Sequence, residues 1–271
     1  MKFLDSFDCF LLADDRWERR SHYASDVSSC RRELVYKWRN EPFSDPPSAG
    51  ARLKMAFGKG AENIIESGLR WMKEKGEIFD YRSQVKYEAH LPGLKYPVGI
   101  RLDFVVEQPP DLPIILEIKS AYGRGIKELE KAGRPRDEHL MQIFLYLLHT
   151  PIKQALAIYL GRDNGYRTEF ALWLDDGQVM LDGKSIGKAQ DGADWVTARL
   201  KAVEGHLEAG TLPDRDFYHA IKNGELRDEF QKAGKVYKSD WHCEYCWMKS
   251  TCWADVIKAT AGGGDNSEMC R

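Results

Sequence analysis

The sequence has no apolar run long enough to cross a bilayer. Its longest, 112–118 and 143–148, fall far short of the ~20 residues a spanning helix needs. It also has no segment that reads as a secretory leader, because Asp5, Asp8, Asp14 and Asp15 interrupt the early apolar residues. These absences predict a cytoplasmic, reducing setting and no membrane partner. Basic charge is not in excess either: 40 Lys and Arg stand against 42 Asp and Glu, a net charge of −2. The chain as a whole is therefore no generic polyanion binder, although an acidic metal site can offset local basic patches in such a total. Internal repeats and long low-complexity tracts are absent, which excludes solenoids and extended disorder. Cysteine is scarce, with six residues in 271, yet Cys243, Cys246 and Cys252 fall within ten positions of each other.

What is present has the rhythm of an α/β protein. Residues 1–50 are polar and partly helical, with a helix expected over 25–40 and a Pro/Ser-rich linker over 41–50. Leu53, Phe57, Ile64, Ile65, Leu69 and Met72 recur at helical spacing up to Gly76. Strand patterns follow over 83–91, 98–106 and 114–119, each set off by a turn rich in Pro or Gly. A helix is expected over 137–150, stopped by Pro151, then strands over 155–160 and 167–174 and a helix over 192–209. The remainder reads as loop. The order helix, three strands, helix, strand predicts an α/β core with a mixed sheet. Three segments are expected: 1–50, N-terminal and helical; 51–180, the core; and 181–271, a helix followed by the cysteine region.

The third strand contains Glu117-Ile-Lys119. Residues two apart on a strand share a face, so Glu117 and Lys119 point one way and Ile118 the other. Two charges in an otherwise apolar strand are costly unless partnered. A divalent cation bound by Glu117 and by Asp103 on the preceding strand supplies a partner, and leaves Lys119 to face a phosphate or a water. On the next helix Gln142 and Tyr146, four apart, are neighbours in a polar stripe extended by His139 and His149, among residues that are otherwise apolar. Such a stripe on a buried helix must line something.

Cys243-x2-Cys246-x5-Cys252 in a reducing compartment points to metal rather than to disulfides. Three thiolates leave a tetrahedral or cubane site one ligand short, and Cys9, Cys30, Cys270 and His242 are candidates for the fourth. The spacing does not separate iron–sulfur from zinc. Between the third strand and the following helix, residues 121–136 carry Arg124, Lys127, Lys131, Arg134 and Arg136 against Glu128 and Glu130. With Gly123, Gly125 and Gly133 this reads as a mobile basic loop suited to a phosphate backbone. Cys30-Arg-Arg and Lys37-Trp-Arg39 form a second basic, aromatic-bearing stretch.

Taken in order, Asp103, Glu117-x-Lys119 and Gln142-x-x-x-Tyr146 resemble the RecB-like exonuclease branch of the PD-(D/E)XK nuclease superfamily. The resemblance is to the CRISPR-associated RecB-like iron–sulfur exonucleases and their phage relatives in particular. It implies a restriction-endonuclease-like core and a metal-dependent DNA exonuclease acting on single-stranded ends, 5′→3′, in recombination, repair or phage or CRISPR DNA processing. Mg²⁺ or Mn²⁺ would be held by Asp103, Glu117 and the Ile118 carbonyl. A further ligand, usually histidine in a Gly-x-x-x-His setting, falls here on Glu62 in Gly58-Lys-Gly-Ala-Glu62. Lys119, Gln142 and Tyr146 would complete the catalytic set, and the basic residues of 121–136 would contact DNA. The segment Ser28-Ser-Cys30-Arg-Arg-Glu-Leu-Val-Tyr36 resembles the upstream part of the cluster motif in those families. Cys30, Cys243, Cys246 and Cys252 would then hold a [4Fe-4S] cluster, iron being favoured over zinc by the resemblance alone, and close a helical and loop cap. The aspartate motif reads Leu102-Asp103 rather than Pro-Asp, a departure from the family pattern. A non-catalytic or accessory DNA-binding iron–sulfur module and an endonuclease of the same fold are the competing readings, and the sequence leaves room for an oligomer or a partner protein.

Overall fold

The computed structural model describes residues 3–13, 19–108, 110–232 and 234–261. In chain order its elements begin with α1 (Phe3–Leu12), β1 (His22–Tyr23), a 3₁₀ turn (Ala24–Asp26), α2 (Arg31–Trp38) and α3 (Ala49–Glu74). The centre comprises β2 (Asp80–Ala89), β3 (Val98–Glu107), β4 (Ile114–Ala121), α4 (Gly123–Ala132), α5 (Asp137–His149), β5 (Gln154–Gly161) and β6 (Arg167–Asp175). Then come β7 (Gln178–Leu181), β8 (Lys184–Lys188) and α6 (Ala189–Glu208). Last are β9 (Ala220–Lys222), β10 (Glu225–Arg227), β11 (Glu229–Lys232), β12 (Lys235–Lys238), α7 (Trp241–Glu244), α8 (Lys249–Cys252) and α9 (Ala254–Thr260).

The chain divides into two compact units. The first contains Arg20–Ser28 and Ala49–Leu200, and the second contains Ser29–Ser48 and the described residues from Lys201 onward. Among the described residues no helix is long and apolar enough to cross a membrane.

The first unit is a mixed sheet with helices. Strands β3 to β8 lie side by side in sequence order, with β2 on the outer side of β3. The pairs β4–β5 and β1–β3 are parallel and the others antiparallel. The parallel pair needs a crossover, and α4 and α5 supply it. On one face Phe104, Val106, Leu116 and Ile118 pack with Ala61 and Leu69 of α3. The residues between them in sequence belong to the opposite face by the alternation of the strand. There α5 buries Leu140, Ile143, Phe144, Leu145 and Leu147.

Three local expectations are corrected. The helix read over 25–40 is a 3₁₀ turn and a shorter α2, separated by 27–30, where Cys30 is extended (ψ 127°). The basic segment 121–136 is not a loop: most of it is α4, whose Ile126 and Leu129 are buried at helical spacing, with Gly133 as its left-handed C-cap (φ 64°). The stretch after 174 is not all loop either. Asp176-Gly177, Asp182-Gly183 and Asn223-Gly224 all have positive φ and form the turns of three tight hairpins, β6–β7, β7–β8 and β9–β10.

Candidate active site

The site in the first unit begins where a ladder stops. Strands β3 and β4 pair at Val106/Ile114, Val105/Ile115 and Phe104/Leu116. The next pair in register would be Asp103 with Glu117. There the Asp103 carboxylate itself accepts the Ile118 N–H at 2.8 Å, replacing a strand–strand bond with a side-chain bond. The strands thus part at the two acidic residues while the backbone N–H stays satisfied.

Glu117 is 2% exposed. Its Oε1 lies 2.6 Å from Lys119 Nζ and accepts from Gln142 Nε2 at 3.0 Å. Lys119 Nζ also donates to Gln142 Oε1 at 3.0 Å, so glutamate, lysine and glutamine close a three-membered ring of hydrogen bonds. Gln142 Nε2 also donates to the Tyr146 hydroxyl, which in turn donates to the Arg101 carbonyl at 3.3 Å. Helical spacing on α5 and strand alternation on β4 therefore bring all four side chains together. Glu117 Oε2, in contrast, is buried without a hydrogen-bond partner. A buried carboxylate oxygen of this kind calls for a cation, a proton or a water.

Electrostatics say the same of Asp103. Burial and the Glu117 carboxylate push its carboxyl up to about 7, with Glu62 adding to the rise and the Ile118 N–H and Lys119 opposing it. Tyr146 is raised well above its ordinary value, chiefly by burial and then by Glu117. His139 is held neutral, its pKa lowered to about 3 by burial and by Lys119 and Arg136, and its Nδ1 lies 2.7 Å from the Tyr159 hydroxyl.

Glu62 enters from α3. Gly58, one turn earlier, lets that helix come close to β4, since a Cβ there would stand 3.2 Å from Ser120 Oγ. Glu62 is already engaged, by Lys59 and by the Gln84 amide at 3.0 Å. Gln84 is a residue that sequence reasoning passed over. It lies on β2 opposite Asp103, between the Ser83/Phe104 and Val85/Leu102 pairs, with φ at 52°. A glutamine held in the left-handed region is strained backbone, here beside the carboxylate cluster. No pattern of residue types would have revealed it, because φ leaves no trace in composition.

A divalent cation fits this donor set. Asp103, Glu117 Oε2, Glu62 and the Ile118 carbonyl are hard oxygen donors, and the orphaned oxygen has no other partner. Among the described residues no three His, Cys, Asp or Glu side chains stand ready-made around one point for a metal. Glu117 Oε1 is taken by the Lys119 ammonium, which leaves Oε2 as that residue's open donor.

The basic residues of 121–136 are partly spent. Arg124 pairs with Glu128, Arg134 with Asp137 and Arg136 with Glu138. Lys127 Nζ sits over the Tyr166 ring at 4.6 Å.

In the second unit Cys30, Cys243, Cys246 and Cys252 line one pocket together with His242 and Arg215. Distant chain segments are pinned there by arginines. The Arg31 backbone N–H and guanidinium hold Asp216, and Arg32 donates to the carbonyls of Pro213 and Cys252. Arg215 also donates to the Cys252 carbonyl, at 2.6 Å. Arg39 donates to the Thr211 carbonyl. The expected basic stretch at 30–39 is thus largely turned inward to build this unit. Burial and the neighbouring cysteines push the Cys243 thiol far up, and burial with Glu33 takes Cys246 up to about 12. His242 is stacked between Phe217 and Trp241, with Nδ1 on Asp240 at 2.7 Å. Cys9 is exposed on α1, and Cys270 lies outside the described residues.

The fold is similar to that of the crystal structure of SSO0001, at 16% sequence identity and a TM-score of 0.51, over 96% of this chain and 98% of that one. Two crystal structures of the exonuclease LHK-Exo are also similar. One is in complex with dAMP, and the other is described as an alkaline exonuclease from Laribacter hongkongensis. Both are 16% identical and cover 76% of this chain and 95% of their own, at TM-scores of 0.47 and 0.44. No protein-family model and no curated protein matches the sequence. At this identity the likeness to SSO0001 is one of fold, and any assignment of chemistry rests on the site itself.

Proposed function

We propose that the chain is a metal-dependent DNA exonuclease of the PD-(D/E)XK type, acting on single-stranded ends. The observation that carries this reading is the buried, unpartnered Oε2 of Glu117 at the point where β3 and β4 part, in a carboxylate whose other oxygen is held by Lys119 and Gln142.

Asp103, Glu117 and Glu62 would hold Mg²⁺ or Mn²⁺, with the Ile118 carbonyl as a further oxygen. When bound, the ion polarises a phosphodiester and lowers the pKa of a water. The chain's own residues do the rest. Gln142 hydrogen-bonds both Glu117 and Lys119 and so keeps the two side chains beside each other. Lys119 would offer its ammonium to the attacking water or to the phosphate's developing charge. Tyr146 stays protonated and fixes Gln142 from behind. In the second unit the four cysteines are proposed to hold a [4Fe-4S] cluster, zinc being the alternative metal. The pocket that the four cysteines line together supports this reading.

The test is incubation of end-labelled linear and closed circular single-stranded DNA with Mn²⁺. Loss of the linear DNA alone is the expected result. Loss of both would make the protein an endonuclease, and survival of both would make it a binding module.

A further inference from the structure

Two exposed tyrosines beside the site each carry a cation on the ring, and the activity proposed above gives neither a role. Tyr122 directly follows β4, three residues after Lys119, or about 10 Å along an extended strand. It is 52% exposed, with the Arg162 guanidinium 4.9 Å from the ring centroid. Tyr166 follows the neighbouring parallel strand β5, is 40% exposed, and has Lys127 Nζ 4.6 Å from its centroid. Both strands end together, with Ala121 in register with Gly161. The rings therefore share the end of the sheet toward which Glu117 and Lys119 lead.

Their placement is built rather than incidental. The Gly123 N–H donates to Asp163 at 2.7 Å, tying the start of α4 to the β5–β6 turn. A Cβ on Gly123 would fall 1.9 Å from the Asn164 amide nitrogen, and one on Gly161 would fall 2.7 Å from the Asn164 amide oxygen. That oxygen in turn accepts the Tyr166 N–H at 3.0 Å. Two glycines and one asparagine thus latch the turn carrying Tyr166 onto the helix carrying Lys127.

An exposed aromatic ring with a cation over it suits a nucleobase on its open side and a phosphate at the cation. Bases within a duplex are already stacked on each other and cannot present a face to such a ring. We infer that Tyr122 and Tyr166 are base-stacking residues that select single-stranded over duplex DNA within a few nucleotides of the reacting phosphate. The inference rests on the nuclease reading of the site.

The experiment measures binding of a fluorescently labelled single-stranded oligonucleotide and its duplex to Asp103→Asn protein, which is expected not to cut. Tyr122→Ala and Tyr166→Ala should each weaken single-strand binding by roughly 5- to 100-fold, the range for losing one base–aromatic stack, and leave duplex binding unchanged. Tyr→Phe at either position should bind like the parent, because the ring stays. Tyr→Leu should behave like Ala, which separates a lost π-face from a lost apolar contact. The slope of affinity against salt should not move, since no charge is removed. Thermal melts of each variant identify any that fails to fold, in which case the Leu variant at that position decides. Single-strand binding unchanged in the Ala and Leu variants, or duplex binding weakened equally, would overturn the inference. Cleavage that persists in Asp103→Asn would instead sink the nuclease site and leave the binding comparison to be read separately.

Discussion

Lys119 Nζ lies 2.6 Å from Glu117 Oε1, a cation and an anion from the same strand, two residues apart, the glutamate buried and the lysine partly so. The second oxygen of that carboxylate is buried with no hydrogen-bond partner. One lysine can neutralise the pair's charge but cannot reach both oxygens. In the proposed site a divalent ion would take that second oxygen together with Asp103 across the parted strands.

Removing Lys119 should separate stability from chemistry. In metal-free protein Lys119→Ala leaves Glu117 buried and uncompensated, at a cost of about 2–4 kcal/mol. Mn²⁺ should restore much of that stability, because an ammonium is not a ligand and its loss leaves the oxygens free. Cleavage should stay lost, and Lys119→Arg should not restore it, since a planar fork cannot stand in for a compact charge. Melting with and without Mn²⁺, alongside a cleavage assay, checks all three.

Asp103 predicts a pH dependence. Its folded carboxyl is raised to about 7, so the contribution that favours the metal-free fold is complete below the ordinary carboxylate range and is lost as pH rises toward 7. Asp103→Asn, which can still accept the Ile118 N–H, should therefore stabilise metal-free protein at pH 8 by on the order of 1–3 kcal/mol and have little effect near pH 4. Mn²⁺ affinity of the unsubstituted protein should climb through pH 7, as the ion no longer has to displace a proton. Denaturant melts and calorimetry at pH 5, 6, 7 and 8 read both effects.

Glu62 and Gln84 should behave as a pair. Glu62→Ala should abolish cleavage at ordinary Mg²⁺, with partial rescue at high Mn²⁺, while Glu62→His should keep measurable activity because imidazole also binds Mn²⁺. Gln84→Gly keeps the left-handed backbone at low cost and removes the amide that holds Glu62, so it should raise the Mg²⁺ requirement by roughly 3- to 10-fold, equivalent to about one hydrogen bond. Wild-type cleavage by Glu62→Ala would reduce α3 to a packing element.

Much of this site is legible because strand alternation and helical spacing are properties of residue type. Glu117, Lys119, Gln142 and Tyr146 could be grouped from sequence and do share hydrogen bonds. What stayed hidden depends on distant chain or on backbone. Arg31 reads as a basic surface residue until Asp216, 185 positions away, takes it. Gln84 matters through its φ. The glycines of 121–136 suggested a loop, yet Gly123 admits Asn164 and Gly133 caps a helix. The Asp-Gly and Asn-Gly turns were readable as hairpin signals and were passed over, because the short strands beside them are weakly apolar.

The cysteine pocket predicts colour. Protein purified without oxygen should be yellow-brown and contain iron, and Cys243→Ser should bleach it and lower its stability, whereas Cys9→Ser should do neither. Cys30, Cys246 and Cys252 should matter as Cys243 does, since all four line the one pocket. Colourless protein with stoichiometric zinc would replace iron with zinc at the same residues and leave the nuclease site untouched.

The most direct measurement is Mn²⁺ titration by calorimetry of Glu117→Gln beside the unsubstituted protein, with release of end label from linear single-stranded DNA followed in the same samples. Glu117→Gln keeps the shape of the side chain and removes the charge on the orphaned oxygen. The site described above requires Mn²⁺ affinity to fall at least about tenfold, the range expected for losing one charged ligand oxygen, and label release to stop. Unchanged Mn²⁺ binding, or label released at the unsubstituted rate, would show that β4 is not the active site.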